Sequence, residues 1–242
     1  GVDKIVHHPG LGPDVILNRM VDPGQADMMA AFATYYVTGW HRGMFQYPGQ
    51  QDRAEWKVVN WTPNAEVPVG LLGFGRMGAA IGRALATLGY PVTAWASRAR
   101  VEEGIEVTEG PEAFRELLEH SVVLVNSLPL TRETEGLFDR GAFSAMRPDA
   151  LFVHIGRGPQ VVEDDLRAAL DAGTPGGAAL DVFQTEPLPA SHPLWRHPKV
   201  MVTPHAASTP TVTGVAQSVA RAVVAHEAGA RPPGFVDRSR GY

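Results

Sequence analysis

Cysteine is absent from the 242 residues of this chain, which excludes disulfide bonds and thiolate metal sites. Long apolar runs are also missing, and no segment approaches the roughly 20 residues that a membrane-spanning helix needs. No charged-then-apolar signal segment opens the sequence, so we expect a cytoplasmic protein with no membrane partner. A net charge of −5 and a pI near 6.0 give no reason to expect nucleic acid as a partner.

From residue 67 onward the sequence contains a regular alternation of short apolar strands and helices. Strands are predicted at residues 69–72, 92–96, 122–125, 151–155, 178–182 and 200–203. Helices are predicted at residues 77–88, from 111, at 141–146, at 163–172, and from Thr209 to Glu227. This alternation predicts an α/β fold with a Rossmann-type doubly wound parallel sheet, covered by helices on both faces.

The first third of the chain follows a different pattern. Residues 1–23 predict a loop with at most one strand and one helical turn. Residues 25–47 predict a helix that is apolar almost all round, which is typical of a helix buried between domains or subunits. Residues 47–68 predict an irregular arm that carries Trp56 and Trp61. The helix and the arm together indicate a homodimer.

A glycine-rich motif joins the first predicted strand to the helix that follows it. It reads Gly73, Phe74, Gly75, Arg76, Met77 and Gly78. The first glycine permits a tight turn, the second lets a pyrophosphate approach the backbone, and the third allows the helix to pack closely on the strand. The helix N-terminus then faces the negative charge. The motif predicts a dinucleotide site, and the alternative is a turn in an α/β protein that binds no nucleotide.

The end of the second predicted strand bears on which dinucleotide is bound. An NAD site usually has a carboxylate there for the ribose 2′-hydroxyl, whereas this chain has Ser97, Arg98 and Arg100. Ser97 and Arg98 are suited to bind a 2′-phosphate, and Arg100 adds positive potential. We therefore expect NADP(H) in preference to NAD(H). The alternative is that the two arginines are ordinary surface charges.

Three later strands end in strings that carry chemically useful side chains. Arg157 lies between two glycines, Glu186 follows five residues after Asp181, and His205 ends a Thr-Pro-His string. At the carboxyl edge of a parallel sheet, a guanidinium can hold a substrate carboxylate and an imidazole can supply a proton. A carboxylate beside the imidazole keeps it charged. Asp181 is placed to meet a nicotinamide carboxamide. These residues together predict the reduction of an α-keto acid.

The same strings resemble one known family. They are GFGRMG at 73–78, SLPLTRET at 127–134, HIGRGPQVVEDDL at 154–166, ALDVFQTEPLP at 179–189, PLWRHPKVMVTPHAA at 193–207 and VDRSRGY at 236–242. In content and order they resemble the D-isomer-specific 2-hydroxyacid dehydrogenase family, and within it the glyoxylate/hydroxypyruvate reductase A branch. The resemblance implies NADPH-dependent reduction of a short 2-oxo acid to the 2-hydroxy acid, with His205 as general acid.

The resemblance also implies which residues form each part of the site. It assigns catalysis to Arg157, Glu186 and His205, and substrate binding to Arg157 with Gly1 and Val2 of an opening Gly-Val-Asp string. The cofactor contacts that we predict are the glycine-rich motif (Gly73, Phe74, Gly75, Arg76, Met77, Gly78), Ser97, Arg98, Arg100, Leu128, Pro129, Ile155, Gly156, Arg157, Asp181 and His205.

The family fold includes a second, flavodoxin-like substrate domain, which this sequence cannot build in full. We expect residues 1–23 to be a remnant of that domain and residues 24–66 to form the interdomain or dimer helix and arm. We expect residues 67–207 to form the NADP-binding Rossmann domain and residues 208–242 to form a helix and tail that return to the substrate domain. We expect the N-terminal half of the substrate domain to be missing upstream of Gly1.

Three other interpretations stay open. A chain without half of its substrate domain would be a non-catalytic NADP(H)-binding protein or an inactive truncated product. A β-hydroxyacid dehydrogenase would open in a similar way but needs a catalytic lysine, and the three lysines, Lys4, Lys57 and Lys199, are on no suitable helix. The histidines His192, His197 and His205 have no ligand-type spacing, so no metal site is predicted.

Overall fold

The structure, a computed structural model, describes residues 2, 5–6, 8–12, 14–59 and 61–238. Within them the strands are Val69–Leu72 (β1), Val92–Trp95 (β2), Arg100–Glu102 (β3), Ile105–Thr108 (β4), Val123–Asn126 (β5), Leu151–His154 (β6), Gly177–Leu180 (β7) and Val200–Val202 (β8). The α-helices are Pro23–His41 (α1), Tyr47–Asp52 (α2), Arg76–Thr87 (α3), Gly110–His120 (α4), Arg140–Ala145 (α5), Glu163–Ala172 (α6) and Val212–Glu227 (α7). No helix among the described residues is long and apolar enough to cross a membrane.

The strands form one sheet in the order β3-β4-β2-β1-β5-β6-β7-β8. All neighbouring strands are parallel except β3 and β4. The chain runs outward from β1 to β2 and later returns to place β5 on the other side of β1, so the strand order reverses between β1 and β5. In open α/β sheets ligands bind at the carboxyl ends of the strands at such a point. The predicted Rossmann-type sheet is confirmed.

Apolar side chains on the two faces of the sheet form two separate buried clusters. Alternate residues of a strand point to opposite faces, so Leu71 and Leu72 of β1 belong to different clusters. Leu71 packs in the cluster of Ile81 from α3, together with residues of α1. Leu72 packs in the cluster of Phe143 from α5 and Leu166 from α6. Because both faces are covered, the central strands β1, β5, β6 and β7 are buried along their whole length and are mostly apolar, as parallel strands buried on two sides usually are.

Helix α1 is shorter than the sequence predicts. The apolar pattern predicts a helix over residues 25–47, but α1 ends at His41. Gly43 then adopts a φ of 64°, and the chain folds back so that the ring of Phe45 lies 5.9 Å from that of Tyr36. Phe45 therefore extends the apolar surface of α1 without continuing the helix. Part of the segment predicted as an irregular arm is helix α2.

Strands β3 and β4 form an edge hairpin that the sequence analysis did not predict. Its two-residue turn is Glu103-Gly104, and these residues have φ values of 53° and 79°. Two consecutive positive φ angles are typical of the tightest hairpin turns, in which glycine is favoured. The hairpin places Arg100 close to the glycine-rich loop, a position with consequences for the cofactor site.

The segments that precede and follow the sheet meet at Asp22. Its buried carboxylate accepts hydrogen bonds from the N–H and the hydroxyl of Thr211, at 3.0 and 3.1 Å. Thr211 is the N-cap of α7, so this helix begins later than the Thr209 start that the sequence predicts. The main-chain oxygen of Asp22 accepts a hydrogen bond from Arg76 at 3.1 Å, which connects this junction to the glycine-rich loop.

Candidate functional site

Three neighbouring strands bring distant parts of the chain to one edge of the sheet. β6, β7 and β8 are adjacent and parallel, so the loops that follow them lie side by side. Arg157 follows β6, Glu186 follows β7 and His205 follows β8. The glycine-rich loop follows β1 at the same edge of the sheet. This arrangement collects a guanidinium, a carboxylate and an imidazole near the point where a dinucleotide would bind.

Glu186 and His205 are in direct contact. Nδ1 of His205 lies 2.9 Å from Oε2 of Glu186, and Oε1 of Glu186 accepts a hydrogen bond from the N–H of Phe183 at 3.1 Å. Both carboxylate oxygens therefore have a partner that holds them in place. With Nδ1 turned to the carboxylate, Nε2 lies on the far side of the ring. The imidazole is 48% exposed, so a small molecule can reach it.

The backbone at His205 is in a strained conformation that Asp181 supports. His205 has a φ of 52°, in the left-handed region that residues other than glycine rarely occupy. Its N–H donates to the main-chain oxygen of Asp181 at 2.9 Å. The carboxylate of Asp181 accepts three more hydrogen bonds from the same loop, from Thr203, Ala206 and Ala207, at 2.6, 2.8 and 3.0 Å. Asp181 thus holds the loop that presents His205, and its contact with a nicotinamide carboxamide stays a prediction.

Arg157 lies on a loop that passes very close to the loop of Glu186. The neighbouring Gly158 packs against the main chain of Phe183, and a Cβ at residue 158 would collide with the carbonyl of Phe183. The guanidinium of Arg157 donates to the main-chain oxygen of Gly156 at 2.6 Å. Gly158 therefore allows the β6 and β7 loops to approach each other, whereas a Cβ at Gly156 would collide with the side chains of Gln160 and Asn126.

Sequence reasoning missed a group of buried polar side chains below Arg157. They are Asn126, His154 and Gln160, and each is at most 1% exposed. His154 and Gln160 bind the carbonyl and the N–H of Arg157, at 3.1 and 2.9 Å. A usable signal was present in the sequence, because a histidine and an asparagine end two strands that are otherwise entirely apolar.

The glycine-rich loop has the shape that a pyrophosphate needs. Gly73 has a φ of 94°, which a residue with a side chain would adopt only at a cost. A Cβ at Gly75 would face open space, whereas a Cβ at Gly78 would collide with the carbonyl of Gly73. Gly75 is also the N-cap of α3 and brings no side chain to cap it, so N–H groups of the first turn remain for an anion. Phe74 is buried and Met77 half-buried in the adjacent core.

The predicted 2′-phosphate residues have different environments. Ser97 and Arg98 are exposed in the turn after β2. Arg100 is instead engaged with the protein: its Nε is 2.7 Å from Oε2 of Glu102, and its Nη2 donates to the main-chain oxygen of Phe74 at 2.7 Å. Arg100 therefore braces the glycine-rich loop, and Glu102 offsets its charge. Ser97 and Arg98 are better placed than Arg100 to meet a phosphate.

The remaining predicted contacts lie along the same edge. Leu128 and Pro129 follow β5, and Ile155 and Gly156 follow β6. At the start of the chain, the main-chain oxygen of Val2 accepts hydrogen bonds from the N–H groups of residues 5 and 6, both at 2.8 Å. Gly1 lies outside the described residues. The substrate contacts expected of Gly1 and Val2 stay predictions.

Comparison with known proteins identifies the family. Residues 34–207 match the model of the D-isomer specific 2-hydroxyacid dehydrogenase NAD-binding domain. The chain is 36% identical over 247 residues to glyoxylate/hydroxypyruvate reductase A of Serratia proteamaculans, covering 100% of this chain and 79% of that protein.

Solved structures agree with this result. A D-isomer specific 2-hydroxyacid dehydrogenase from Xanthobacter autotrophicus, in complex with NADPH and MES, matches with a TM-score of 0.96 and 38% identity over 100% of both chains. An NADPH-dependent glyoxylate/hydroxypyruvate reductase from Sinorhizobium meliloti, in complex with NADP and sulfate, matches with a TM-score of 0.95 and 34% identity, over 100% of this chain and 78% of that one. The chain therefore belongs to the D-isomer-specific 2-hydroxyacid dehydrogenase family of oxidoreductases.

Proposed function

We propose that this protein uses NADPH to reduce a short 2-oxo acid of the glyoxylate or hydroxypyruvate type to the 2-hydroxy acid. The observation that carries the proposal is the 2.9 Å contact between Glu186 and His205, next to the loop of Arg157 and at the sheet edge of the glycine-rich loop. The relatives named as glyoxylate/hydroxypyruvate reductases support this substrate class.

Each side chain of the site has a distinct chemical task in this proposal. A reduced nicotinamide, when bound, supplies the hydride. Arg157 pairs with the substrate carboxylate and so orients the carbonyl group. His205 donates a proton from Nε2 to the carbonyl oxygen as negative charge develops there. Glu186, on Nδ1, stabilises the charged imidazole before the proton is transferred.

The preference for NADP(H) is supported by the residues at the end of β2. Ser97 and Arg98 are exposed there, in a turn where an NAD site usually has an acidic residue. Glu109 is the nearby carboxylate, and it accepts a hydrogen bond from the N–H of Ala99 at 3.0 Å. That bond shapes the turn and leaves the Arg98 guanidinium as the group suited to a 2′-phosphate.

The same proposal includes the division of the chain and its assembly. Residues 67–207 form the cofactor domain, and residues 1–23 and 208–242 belong to the substrate side. The assignment of both end segments to the substrate side is supported by a hydrogen bond between them, which the N–H of Arg19 donates to the main-chain oxygen of Gly234 at 2.7 Å. Tyr35 and Trp56 are exposed large side chains on α1 and the arm, as a homodimer contact would require. Analytical ultracentrifugation of the protein tests the dimer.

The competing lysine-dependent chemistry has little support from the structure. Lys199 precedes β8, at the amino edge of the sheet, and its ammonium group donates to the main-chain oxygen of Leu170 at 2.6 Å. It therefore lies at the opposite edge from His205. Lys57 is exposed in the arm, and Lys4 lies outside the described residues.

The test is consumption of NADPH with glyoxylate or hydroxypyruvate, by the wild type and by His205→Asn. Asparagine tolerates the left-handed backbone of residue 205 but cannot act as a general acid, so the variant separates chemistry from strain. We expect kcat to fall by on the order of 10² or more while NADPH affinity is retained. The exposed His226 of α7, changed to Asn, is the matched control. Wild-type protein that binds NADPH but reduces no 2-oxo acid would instead indicate a non-catalytic binding protein.

A further inference from the structure

Three buried side chains lie between the loop of Arg157, which follows β6, and the segment of Leu128 and Pro129, which follows β5. The proposed function requires both segments. Asn126 ends β5, His154 ends β6, and Gln160 lies in the short turn after Arg157. Their exposed fractions are 0, 1 and 0%. Burial of uncompensated polar groups is costly, so each polar atom in such a cluster needs a partner.

The hydrogen bonds of this network have a direction that backbone groups determine. The N–H of Leu128 donates to Oδ1 of Asn126 at 3.1 Å, so the amide nitrogen of Asn126 is on the other side. This nitrogen donates to Oε1 of Gln160 at 2.9 Å and to Nδ1 of His154 at 3.0 Å. His154 must therefore carry its proton on Nε2, which donates to the main-chain oxygen of Arg157 at 3.1 Å.

Gln160 completes the network on the cofactor side. Its Oε1 also accepts the N–H of Arg157 at 2.9 Å, and its amide nitrogen donates to the carbonyls of Leu128 and Pro129 at 3.2 and 2.9 Å. Both main-chain polar groups of Arg157 are thus held by side chains of the network. The same side chains hold the segment that follows β5, where we expect cofactor contacts.

The state of the His154 ring is part of this arrangement. The ring stacks on Phe152, with centroids 5.6 Å apart and an interplanar angle of 16°. Burial lowers the pKa of His154 to about 3, against smaller effects of opposite direction from the hydrogen bond to Arg157 and the charge of Glu186; the charge of Arg157 lowers it further. A proton on Nδ1 would face the amide hydrogens of Asn126, so the network requires the neutral ring.

We propose that Asn126, His154 and Gln160 form a positioning network that sets the main chain of Arg157 relative to Leu128 and Pro129. Through that main chain it sets the affinity for the substrate carboxylate, a statement that rests on the proposed role of Arg157. The hydrogen bonds of the network end on backbone groups of Arg157 and of the segment of Leu128 and Pro129. Buried Ser121, at the amino end of β5, shows the contrast, because its hydroxyl donates to Leu117 within α4 at 2.6 Å.

The first test compares kinetic constants of matched variants. His154→Phe keeps an aromatic ring on Phe152 but removes both nitrogens, and Gln160→Met removes the bonds to both loops. We expect His154→Phe to raise KM for glyoxylate about tenfold with unchanged NADPH affinity, because a buried carbonyl loses its donor. Gln160→Met should raise KM for glyoxylate and also lower the affinity for NADPH. Ser121→Ala is the control and should change neither KM nor NADPH affinity.

A conservative variant separates positioning from packing. His154→Gln can still donate to the carbonyl of Arg157, so its KM should lie between those of the wild type and His154→Phe. Should His154→Phe not fold, His154→Gln decides the question through its KM relative to the wild type. The proposal is overturned if the His154 and Gln160 variants have the same KM as the wild type and, like Ser121→Ala, lose only stability.

Two measurements do not depend on turnover. In the ¹⁵N spectrum of histidine-labelled protein, His154 should show a protonated Nε2 and a bare Nδ1, and the opposite tautomer overturns the donor order. The amide of Arg157 should exchange its hydrogen faster in Gln160→Met than in the wild type, and an unchanged rate also counts against the network. If the wild type reduces no 2-oxo acid, the proposed function fails while these two results still decide on the network.

Discussion

Acidification should destabilise this protein through His154, in a manner that one substitution can isolate. The ring is fully buried as the neutral form, with a folded-state pKa of about 3 against 6.5 for the exposed side chain. Between these values the unfolded chain binds a proton that the folded protein does not. Stability from this residue is therefore complete above pH 6.5 and is lost as the pH falls toward 3.

The size of the effect follows from the two pKa values. Each pH unit in that window costs about 1.4 kcal/mol, so lowering the pH from about 7.5 to about 5 should cost about 2 kcal/mol. The His154→Gln variant has no titrating group at this position and should not show this loss. The difference in unfolding free energy between wild type and variant should thus shift by about 2 kcal/mol over this range, in favour of the variant at low pH.

Urea unfolding of both proteins at the two pH values measures this shift. The exposed His226, changed to Gln, is the control for removal of a histidine. The difference in unfolding free energy between this variant and the wild type should not shift by about 2 kcal/mol between the two pH values. A free-energy difference between wild type and His154→Gln that stays constant with pH would refute the inference that the ring is held neutral.

The other predictions concern activity. Glu186→Gln removes the charge 2.9 Å from Nδ1 of His205 that stabilises the imidazolium needed for proton donation, so kcat should fall about tenfold or more; an unchanged kcat contradicts the pairing. Asp181→Asn places an amide where a carboxylate accepts three hydrogen bonds, and kcat should fall about tenfold or more, measured at saturating substrate; an unchanged kcat would show that the strained loop does not need this support. Arg98→Ala should reduce the ratio of kcat/KM for NADPH to that for NADH by about tenfold or more. Exposed Arg115 of α4, changed to Ala, should leave that ratio as it is.

Much of the fold could be predicted because its signals are local. The strand of residues 69–72 and the helix of residues 163–172 have the same bounds in prediction and structure. Their apolar spacing repeats over a few residues, and short-range spacing reports secondary structure directly. The glycine motif works similarly, since a strand, a turn and a helix follow each other without interruption.

Where the predicted secondary structure was wrong, tertiary contacts overrode the apolar pattern of the segment. Helix α1 stops at His41 because Phe45 packs back on Tyr36, although the apolar pattern continues. The β3–β4 hairpin forms because β2 provides an edge with which β4 pairs. The short sequence around Glu103 does not indicate that this edge is available. The cofactor contact of Arg100 stays a prediction, and the structure adds that Glu102 and the Phe74 carbonyl engage its guanidinium.

The sequence by itself determined the sheet class, the cofactor loop and the identity of the side chains proposed to act, because residue type and short spacing encode these features. Only the tertiary structure decided that Nδ1 of His205 meets Glu186, and that Asp181 supports the left-handed backbone beneath that imidazole. It alone decided that Asn126 and His154 lie below Arg157. Such contacts join residues far apart in the chain, and their geometry exists only once neighbouring parallel strands have paired.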